Sequence, residues 1–406
     1  MNYKCRNCSH EIIPFFSLWD MPSVNLFLKK EDISREKKYD LTVWFCPNCY
    51  IAQLTETIPP QDLFVEYTYL SSMSTTMLKH AEDVSNYLAE KLKLNQNSLV
   101  VELASNDWYL LQYFQKLWIK VLGIDPAKNI AKIANEKWIE TIADFFSLNL
   151  AKNIYENNWK KADLIYGANV LAHVPWIVDF LSWVKFLLND KWTAVFEFPY
   201  IDWLFEWKFD TIYHEHVFYY SALAIKSLCK TVWLELYNIE TNEMQWWSLF
   251  IYVSHPWVFK ISDNVKNIIN KELSLWYDQI ETYVKIKEKA DSINNKLKKI
   301  LDWIKNEWKR IVWYWAAAKG TILLNYFWVW NNYIDYIIDK APTKQWLYSP
   351  WVHLKVEAPE ILNTDQPDYI LILPWNISNE IIKQLNDYRQ KWGKFIVPVP
   401  NPLIIS

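Results

Sequence analysis

Glycine is nearly absent from this chain, which limits the turns that the chain can form. The 406 residues include 4 glycines, where average usage predicts about 28. A turn that needs a positive φ or a close backbone approach normally contains glycine, because other side chains clash there. The chain also has 26 tryptophans, and several lie where a turn is expected, at Trp192, Trp246-Trp247, Trp313 and Trp315.

We infer that a glycine codon of the source, UGA, is rendered here as tryptophan. Some uncultured bacterial lineages do translate UGA as glycine, and the two residue counts together total 30, close to a normal glycine content. The alternative is a protein that is truly rich in tryptophan. A few tryptophans are expected to be genuine, and Trp375 in Leu-Pro-Trp-Asn is the best candidate.

Length and composition indicate a globular protein of two to three domains. Hydrophobic residues make up 51% of the chain and charged residues 22%, which excludes wholesale disorder. A net charge of −3 gives no electrostatic reason to expect nucleic-acid binding. No apolar run is long enough for a membrane span, and the first residues lack the apolar core of a signal peptide. We therefore expect a cytoplasmic protein with no membrane partner.

Four of the five cysteines form two C-x2-C pairs near the start of the chain, Cys5/Cys8 and Cys46/Cys49. Four thiolates in two such turns suit a tetrahedral Zn²⁺ whose positions are all filled by protein, as in structural sites. A pair of disulfides or a redox motif is the alternative, and a cytoplasmic setting disfavours disulfides. Cys229 lies alone in a helical pattern and is expected to be a buried apolar residue.

The rest of the chain alternates short apolar strands with helices, which predicts α/β domains built on parallel sheets. We expect four regions: a zinc-binding domain at 1–65, a Rossmann-like domain at 66–255, a charged helical linker at 256–308, and a second Rossmann-like α/β domain at 309–406.

The segment Glu102-Leu-Ala-Ser-Asn-Asp-Trp108 follows an apolar strand and precedes a helix. With glycine at Trp108 it would be a tight turn close to a ligand, and tryptophan there is expected to block that ligand. Asp125 ends the next strand, where a carboxylate can accept hydrogen bonds from a ribose. The turn lacks G-x-G-x-x-G, so a nicotinamide dinucleotide is the weaker candidate. The arrangement resembles the S-adenosylmethionine (SAM) site of class I methyltransferases, which implies cofactor contacts by Glu102, Ala104, Asn106, Trp108, Asp125 and Asp144. A turn without a ligand is the alternative.

A second cluster is Tyr213-His-Glu-His216, which places two histidines, a glutamate and a tyrosine within four positions. Such a set can serve general acid–base chemistry. It could also bind a metal, but its spacing is not H-E-x-x-H. His173 follows a strand at the carboxyl edge of the expected sheet, where it is as compatible with a structural role as with a catalytic one.

Taken together, these motifs resemble the SAM-dependent sugar C-methyltransferases of deoxysugar biosynthesis. The resemblance spans nearly the whole chain: the two C-x2-C pairs, Tyr67-Thr-Tyr-Leu-Ser-Ser, the Glu102 turn, Asn169-x-x-x-His173-Val, the Tyr-His-Glu-His block and the unit at 310–320. The family has glycine where Trp108, Trp246, Trp247, Trp313 and Trp315 stand. The resemblance implies a nucleotide-linked 4-keto-6-deoxyhexose as substrate, methylated at a ring carbon, typically C3.

The resemblance also assigns roles to residues of this chain. It implies His216 as the base that removes the proton next to the ketone, with Glu215 beside it. Tyr213 and His173 would hydrogen-bond the enolate oxygen, and Tyr69 is a weaker candidate for the site. The choice between His216 and His214 as the base is left open by the sequence.

The segment Arg310–Gly320 predicts another strand, turn and helix. Such a helix N-terminus could hold the nucleotide diphosphate, with Lys319 adding positive charge. The alternatives are a vestigial domain that binds nothing and an NAD site with Asp339 near the ribose. An NAD-dependent oxidoreductase, a zinc-scaffolded binding protein and a C5 or other ketosugar methyltransferase are the competing functions. A monomer or a small homo-oligomer is expected.

Overall fold

The computed structural model describes residues 3–65, 70–157, 160–242, 248–391 and 393–406. Its strands are β1 (Ile13–Met21), β2 (Tyr39–Phe45), β3 (Ala52–Leu54), β4 (Leu99–Leu103), β5 (Lys120–Ile124), β6 (Thr141–Ile142), β7 (Ala162–Ala168), β8 (Leu188–Pro199), β9 (Phe218–Tyr219), β10 (Glu235–Asn242), β11 (Ser248–Ser254), β12 (Ile311–Tyr314), β13 (Ile337–Ile338), β14 (Val356–Glu357), β15 (Tyr369–Ile372), β16 (Lys394–Val397) and β17 (Leu403–Ile405).

Its helices are α1 (Pro60–Phe64), α2 (Thr75–Lys91), α3 (Leu111–Lys116), α4 (Lys128–Glu136), α5 (Leu148–Glu156), α6 (Ile177–Leu187), α7 (Asp202–Phe205), α8 (Ala222–Thr231), α9 (Asp263–Ser274), α10 (Ile280–Asn306), α11 (Ala318–Phe327), α12 (Ser378–Gln384) and α13 (Asn386–Gln390). In the described parts of the chain, no helix has the length and apolar character that crossing a membrane requires.

The chain forms two compact units, and each is assembled from three separate segments. The first unit consists of Met1–Ile13, Trp44–Ile201 and Val217–Ile280. The second unit consists of Pro14–Val43, Asp202–His216 and Glu281–Ser406.

The first unit is built on a seven-stranded sheet of order β10-β11-β8-β7-β4-β5-β6. Strands β4 to β8 are parallel to one another, and β11 is antiparallel to both β8 and β10. Every residue of β4 is buried, as expected for a central strand covered on both faces. The strand order reverses at β4, whose neighbours are β5 and β7, and ligands of α/β sheets bind in the crevice beyond such a point.

The second unit contains a six-stranded sheet of order β14-β13-β12-β15-β16-β17, parallel except for the β16–β17 pair. Its core includes buried aliphatic side chains of β12, β13 and β15, among them Val312, Ile338 and Ile370. This arrangement confirms the expected mixed α/β class with sheets of mainly parallel strands.

Tryptophan fills many backbone positions that favour glycine. Among the described residues, 19 non-glycine residues have a left-handed φ, and 12 of them are tryptophans. None of the four glycines does. Of the positions singled out from the sequence, Trp315 has a φ of 70°. Trp192 and Trp313 were wrongly expected in turns, because they lie within strands β8 and β12. Trp246 and Trp247 lie outside the described residues.

Six of these tryptophans end a helix in the same way. Each N–H of Trp118, Trp138, Trp233, Trp276, Trp308 and Trp328 donates to the carbonyl three residues earlier, and the next N–H donates to the carbonyl five residues before it. At the end of α4, for example, the Trp138 bond to Asn135 is 3.0 Å and the Ile139 bond to Ala134 is 3.1 Å. This is the Schellman motif, whose left-handed residue is usually glycine. The pattern supports glycine as the natural residue at these positions.

Candidate functional site

The four cysteines of the two C-x2-C pairs meet in the first unit. The Sγ atoms of Cys5 and Cys49 are 3.4 Å apart, those of Cys8 and Cys46 are 3.5 Å apart, and all four lie within 4.8 Å of one another. A tetrahedron of Zn–S bonds of about 2.3 Å places sulfurs about 3.8 Å apart, so the cluster fits Zn²⁺. The four cysteines are free thiols in this structure and not disulfides.

Nearby groups hold the Cys5 thiolate in place. The amide of Gln53 donates to its Sγ at 3.2 Å, and the backbone N–H of Asn7 donates at 3.4 Å. Hydrogen bonds with Cys46 and Cys49 lower the pKa of Cys5. A zinc ligand must be deprotonated, so these contacts prepare Cys5 for the metal. Cys229 lies apart on α8, where burial raises the pKa of its thiol to about 12.

The turn after β4 is held by Asp125, which follows β5. The N–H of Asn106 donates to Oδ2 of Asp125 at 2.8 Å, and the N–H of Ala127 donates to Oδ1 at 2.8 Å. Ala104 and Asn106 have left-handed φ values of 55° and 53°. The tight part of the turn therefore lies at these two residues and not at Trp108, whose half-buried side chain packs against the core of the unit.

The carboxylate of Glu102 is buried beneath this turn, with 1% of the residue exposed. Desolvation raises its pKa well above the usual value, and the charges of Asp125 and Asp107 raise it further. A carboxylate in this place can interact with a cation or a hydroxyl group of a bound cofactor, so the turn fits SAM. Asp144, the remaining sequence candidate, follows β6 with an exposed side chain that accepts from the N–H of Phe145 at 2.7 Å.

A buried network beside the turn was not found from the sequence. Oε2 of Glu197, on β8, accepts from the Tyr166 hydroxyl at 2.9 Å and lies 2.9 Å from Nε2 of His80. The carbonyl of Glu197 accepts from the N–H of Asn169 at 2.6 Å, at the start of the loop that carries His173. A charged residue within the apolar strand Ala194-Val-Phe-Glu-Phe was the signal that could have revealed it.

His173 lies in the first unit, in a 3-10 turn after β7. Its ring is half-buried and meets the edge of Phe64 at 5.7 Å between ring centroids. Because β7 borders the point where the strand order reverses, the loop with His173 lies at the same sheet edge as the turn after β4. Tyr69 lies outside the described residues.

The Tyr-His-Glu-His block lies in the second unit, where its two histidines have different surroundings. His214 is 2% exposed, its Nε2 donates to the Tyr39 carbonyl at 3.1 Å, and desolvation lowers its pKa. His216 is half-buried, its Nδ1 donates to the Thr211 carbonyl at 2.9 Å, and its Nε2 lies 3.0 Å from the Tyr213 hydroxyl. Because a carbonyl can only accept, the Thr211 contact places a proton on Nδ1 of His216.

Glu215 and Lys319 also lie in the second unit. Oε1 of Glu215 accepts from the side-chain amide of Asn25 at 2.6 Å, and desolvation raises the pKa of this buried carboxyl. Lys319 lies in the first turn of α11, with its Nζ 5.4 Å from the ring centroid of Trp203.

The turn after β12 is held by Asp339 in the way that Asp125 holds the turn after β4. Ala316 N–H donates to Oδ2 of Asp339 at 2.8 Å, and Ala341 N–H donates to Oδ1 at 2.7 Å. The two units therefore share one arrangement. The aspartate that follows β5 or β13 accepts from an N–H in the turn after β4 or β12, and also from the N–H two residues beyond itself.

Three family models match successive parts of the chain. A zinc binding domain matches residues 5–64, a methyltransferase domain matches residues 75–238, and a C-methyltransferase C-terminal domain matches residues 247–400. C-methyltransferase NovU of Streptomyces niveus is 28% identical over 407 residues, covering 99% of this chain and 97% of that protein.

The chain also has distant similarity to solved structures. A SAM-dependent methyltransferase from Clostridium acetobutylicum is 10% identical with a TM-score of 0.35, covering 44% of this chain and 92% of that one. Magnesium protoporphyrin IX methyltransferase from Synechocystis with bound SAM is 12% identical with a TM-score of 0.34, covering 47% and 85%. The chain is therefore similar, in this order, to a zinc binding, a methyltransferase and a C-methyltransferase C-terminal domain, and over its full length to a C-methyltransferase.

Proposed function

We propose that the chain methylates the carbon next to the ketone of a nucleotide-linked 4-keto-6-deoxyhexose, at C3. The observation that carries this proposal is the environment of His216, whose Nδ1–H is held by the Thr211 carbonyl. The motif resemblance and the full-length similarity to NovU support the substrate class. A C5 or other ketosugar methyltransferase is the nearest alternative.

His216 is better suited than His214 to act as the base. With the proton of neutral His216 on Nδ1, its Nε2 accepts from the Tyr213 hydroxyl, and the lone pair becomes available to take a proton from carbon when that hydroxyl turns to the substrate oxygen. The same contact with Thr211 stabilises the imidazolium that forms, because an N–H of a cation makes a stronger hydrogen bond. In contrast, His214 is buried, and desolvation lowers its pKa and so disfavours the imidazolium that a base must form.

The reaction then proceeds in two steps, proton removal followed by methyl transfer. Nε2 of His216 takes the proton, the electrons of the C–H bond move into the enolate, and the enolate carbon forms the new bond to the methyl group. SAM, when bound, supplies that methyl group on a positively charged sulfur, and S-adenosylhomocysteine leaves. Glu102, Ala104, Asn106, Asp125, Asp144 and position 108 would hold the cofactor.

Hydrogen-bond donors would stabilise the enolate oxygen, which is usually the largest electrostatic contribution to such a reaction. We assign this role to Tyr213 and His173, with Tyr69 as a further candidate. Glu215 would assist His216 by orienting it. Lys319 at the start of α11 would bind the nucleotide diphosphate. The cytoplasmic location and a monomer or small homo-oligomer remain predictions.

The test follows proton removal separately from methyl transfer. We define the glycine-substituted chain as the protein with glycine in place of Trp108, Trp246, Trp247, Trp313 and the twelve left-handed tryptophans. This protein should transfer labelled methyl from SAM to a thymidine-diphosphate 4-keto-6-deoxyhexose. In D2O without SAM, it should exchange the C3 proton of the same sugar for deuterium, which NMR follows. His216→Asn should slow the exchange by about 10²- to 10⁴-fold.

His214→Asn is the matched control and should leave most of the exchange activity. Exchange at C5 with none at C3 would favour the alternative methylation position. Loss of exchange in His214→Asn with retention in His216→Asn would reverse the assignment of the base. SAM binding without exchange or transfer would discard the proposed sugar but keep the methyltransferase.

A further inference from the structure

Trp375 differs from the other tryptophans in how its indole is used. It lies in a 3-10 turn after β15, outside the left-handed region, and its Nε1–H donates to Oδ2 of Asp210 at 2.8 Å. By comparison, four other tryptophans within the described parts of the chain bury the indole N–H without a hydrogen-bond partner, namely Trp44, Trp203, Trp313 and Trp330. The structure thus gives Trp375 a contact that glycine could not make.

The acceptor is an unusual carboxylate. Asp210 is completely buried in the second unit, within the 3-10 turn Phe209–Thr211, which ends one residue before the Tyr-His-Glu-His block. Desolvation raises its pKa, whereas the charge of Lys319, the hydrogen bond from Trp375 and the charge of Lys208 lower it. A buried carboxylate without such partners would be strongly destabilising, so Asp210 and Trp375 fix each other's positions.

The residue after Asp210 connects this contact to His216. The carbonyl of Thr211 accepts from Nδ1–H of His216 at 2.9 Å, and the Thr211 hydroxyl donates to the Lys208 carbonyl at 2.7 Å. A shift of the turn would move the carbonyl that keeps the proton on Nδ1. Neutral histidine would then be free to carry its proton on Nε2, the tautomer that cannot act as a base there.

We propose that Trp375 and Asp210 are positioning residues for His216. The indole holds the Asp210 carboxylate, the carboxylate holds the 3-10 turn, and the turn holds the Thr211 carbonyl against Nδ1. This inference rests on the proposed function, because it concerns the tautomer of the proposed base. It also identifies Trp375 as a natural tryptophan.

The experiment compares Trp375→Phe with Trp330→Phe in the full-length glycine-substituted chain. Both changes remove an indole N–H, but only the first breaks a hydrogen bond. Trp375→Phe should lower kcat by about 10- to 100-fold with little change in KM. In ¹⁵N-histidine NMR, the protonated nitrogen of His216 should move from Nδ1 toward Nε2. Trp330→Phe should leave both readouts unchanged.

Asp210→Asn keeps an oxygen that can accept from the indole, so it should retain the Nδ1–H tautomer, whereas Asp210→Leu should lose it. If folded Trp375→Phe and Asp210→Leu keep the Nδ1–H tautomer and normal kcat, the positioning proposal is wrong. If His216→Asn exchanges the substrate proton normally, the proposed base is wrong instead. The two failures are therefore distinguishable.

Discussion

A tryptophan at the C′ position of a helix is costly because its Cβ crowds the backbone in the left-handed conformation. The cost is roughly 1–2 kcal/mol per residue, and glycine does not incur it. Trp138 and Trp308 illustrate the point, since 85% and 93% of these residues are exposed and their indoles gain little from packing. The backbone at these positions therefore favours glycine with almost no compensation from the side chain.

Trp138→Gly and Trp308→Gly should each raise the free energy of unfolding. The relief of left-handed strain outweighs the greater flexibility of glycine in the unfolded chain, leaving a net gain of about 0.5–1 kcal/mol per site. Urea unfolding of the single and double variants measures this gain. Exposed Trp303, inside α10 and without a left-handed φ, is the matched control, and Trp303→Gly should destabilise by about 1 kcal/mol. Destabilisation at positions 138 and 308 would contradict the inference of natural glycine.

At the scale of elements, the two C-x2-C turns bring together one metal site from two separate parts of the chain. Cys5 and Cys8 precede β1, whereas Cys46 and Cys49 lie between β2 and β3. The sulfurs nevertheless lie within the distances that one tetrahedral ion requires. A metal that joins two segments so far apart in sequence should contribute directly to folding.

The purified chain should contain one zinc ion, measured by elemental analysis. Removing it with a chelator should lower the midpoint of thermal unfolding, because the four thiolates then repel one another or must take up protons. Cys46→Ser should lose the metal, whereas Cys229→Ala, which changes a buried cysteine outside the cluster, should retain one ion per chain. Full zinc content in Cys46→Ser would count against the four-cysteine site.

Local patterns were sufficient to predict several elements and residues but not how they are combined. The features that could be predicted depend on neighbours in the sequence. The apolar run at 99–103 forms a strand, Asp125 binds a turn, and the paired cysteines form a cluster. The contacts of Glu197 with His80 and of Trp375 with Asp210 join residues 117 and 165 positions apart. Such contacts depend on the strand order, which no local pattern contains. For the same reason, the three-segment composition of each unit was not visible in the sequence.

At the scale of the whole molecule, both units bury carboxyl groups whose ionisation opposes folding. Desolvation raises the pKa of Glu102 and Asp125 in the first unit and of Asp210 and Glu215 in the second. A carboxyl group with a raised pKa binds its proton more tightly in the folded chain than in the unfolded chain. Stability therefore falls as the pH rises from the unfolded pKa toward the folded one.

Glu102→Gln should remove part of this pH dependence. The variant should be more stable than the parent above about pH 4.5, the ordinary value for glutamate, and the difference should grow with pH until the raised pKa of Glu102 is passed. Urea unfolding of both proteins across this range measures the difference. Glu136→Gln, on the exposed side of α4, controls for the loss of one negative charge. Parallel stability curves for Glu102→Gln and the parent would rule out this contribution.

The left-handed backbone at Trp19 has a consequence for where this protein can be made. If its codon is UGA, a ribosome that treats UGA as a stop signal releases a peptide of 18 residues, before Cys46 and Cys49 have been synthesised. A ribosome that inserts tryptophan completes a chain with an indole at each of the six helix ends. Only a cell with a glycine-charged transfer RNA for UGA would then produce the native enzyme. After transfer to most other organisms, the gene would therefore yield no functional protein.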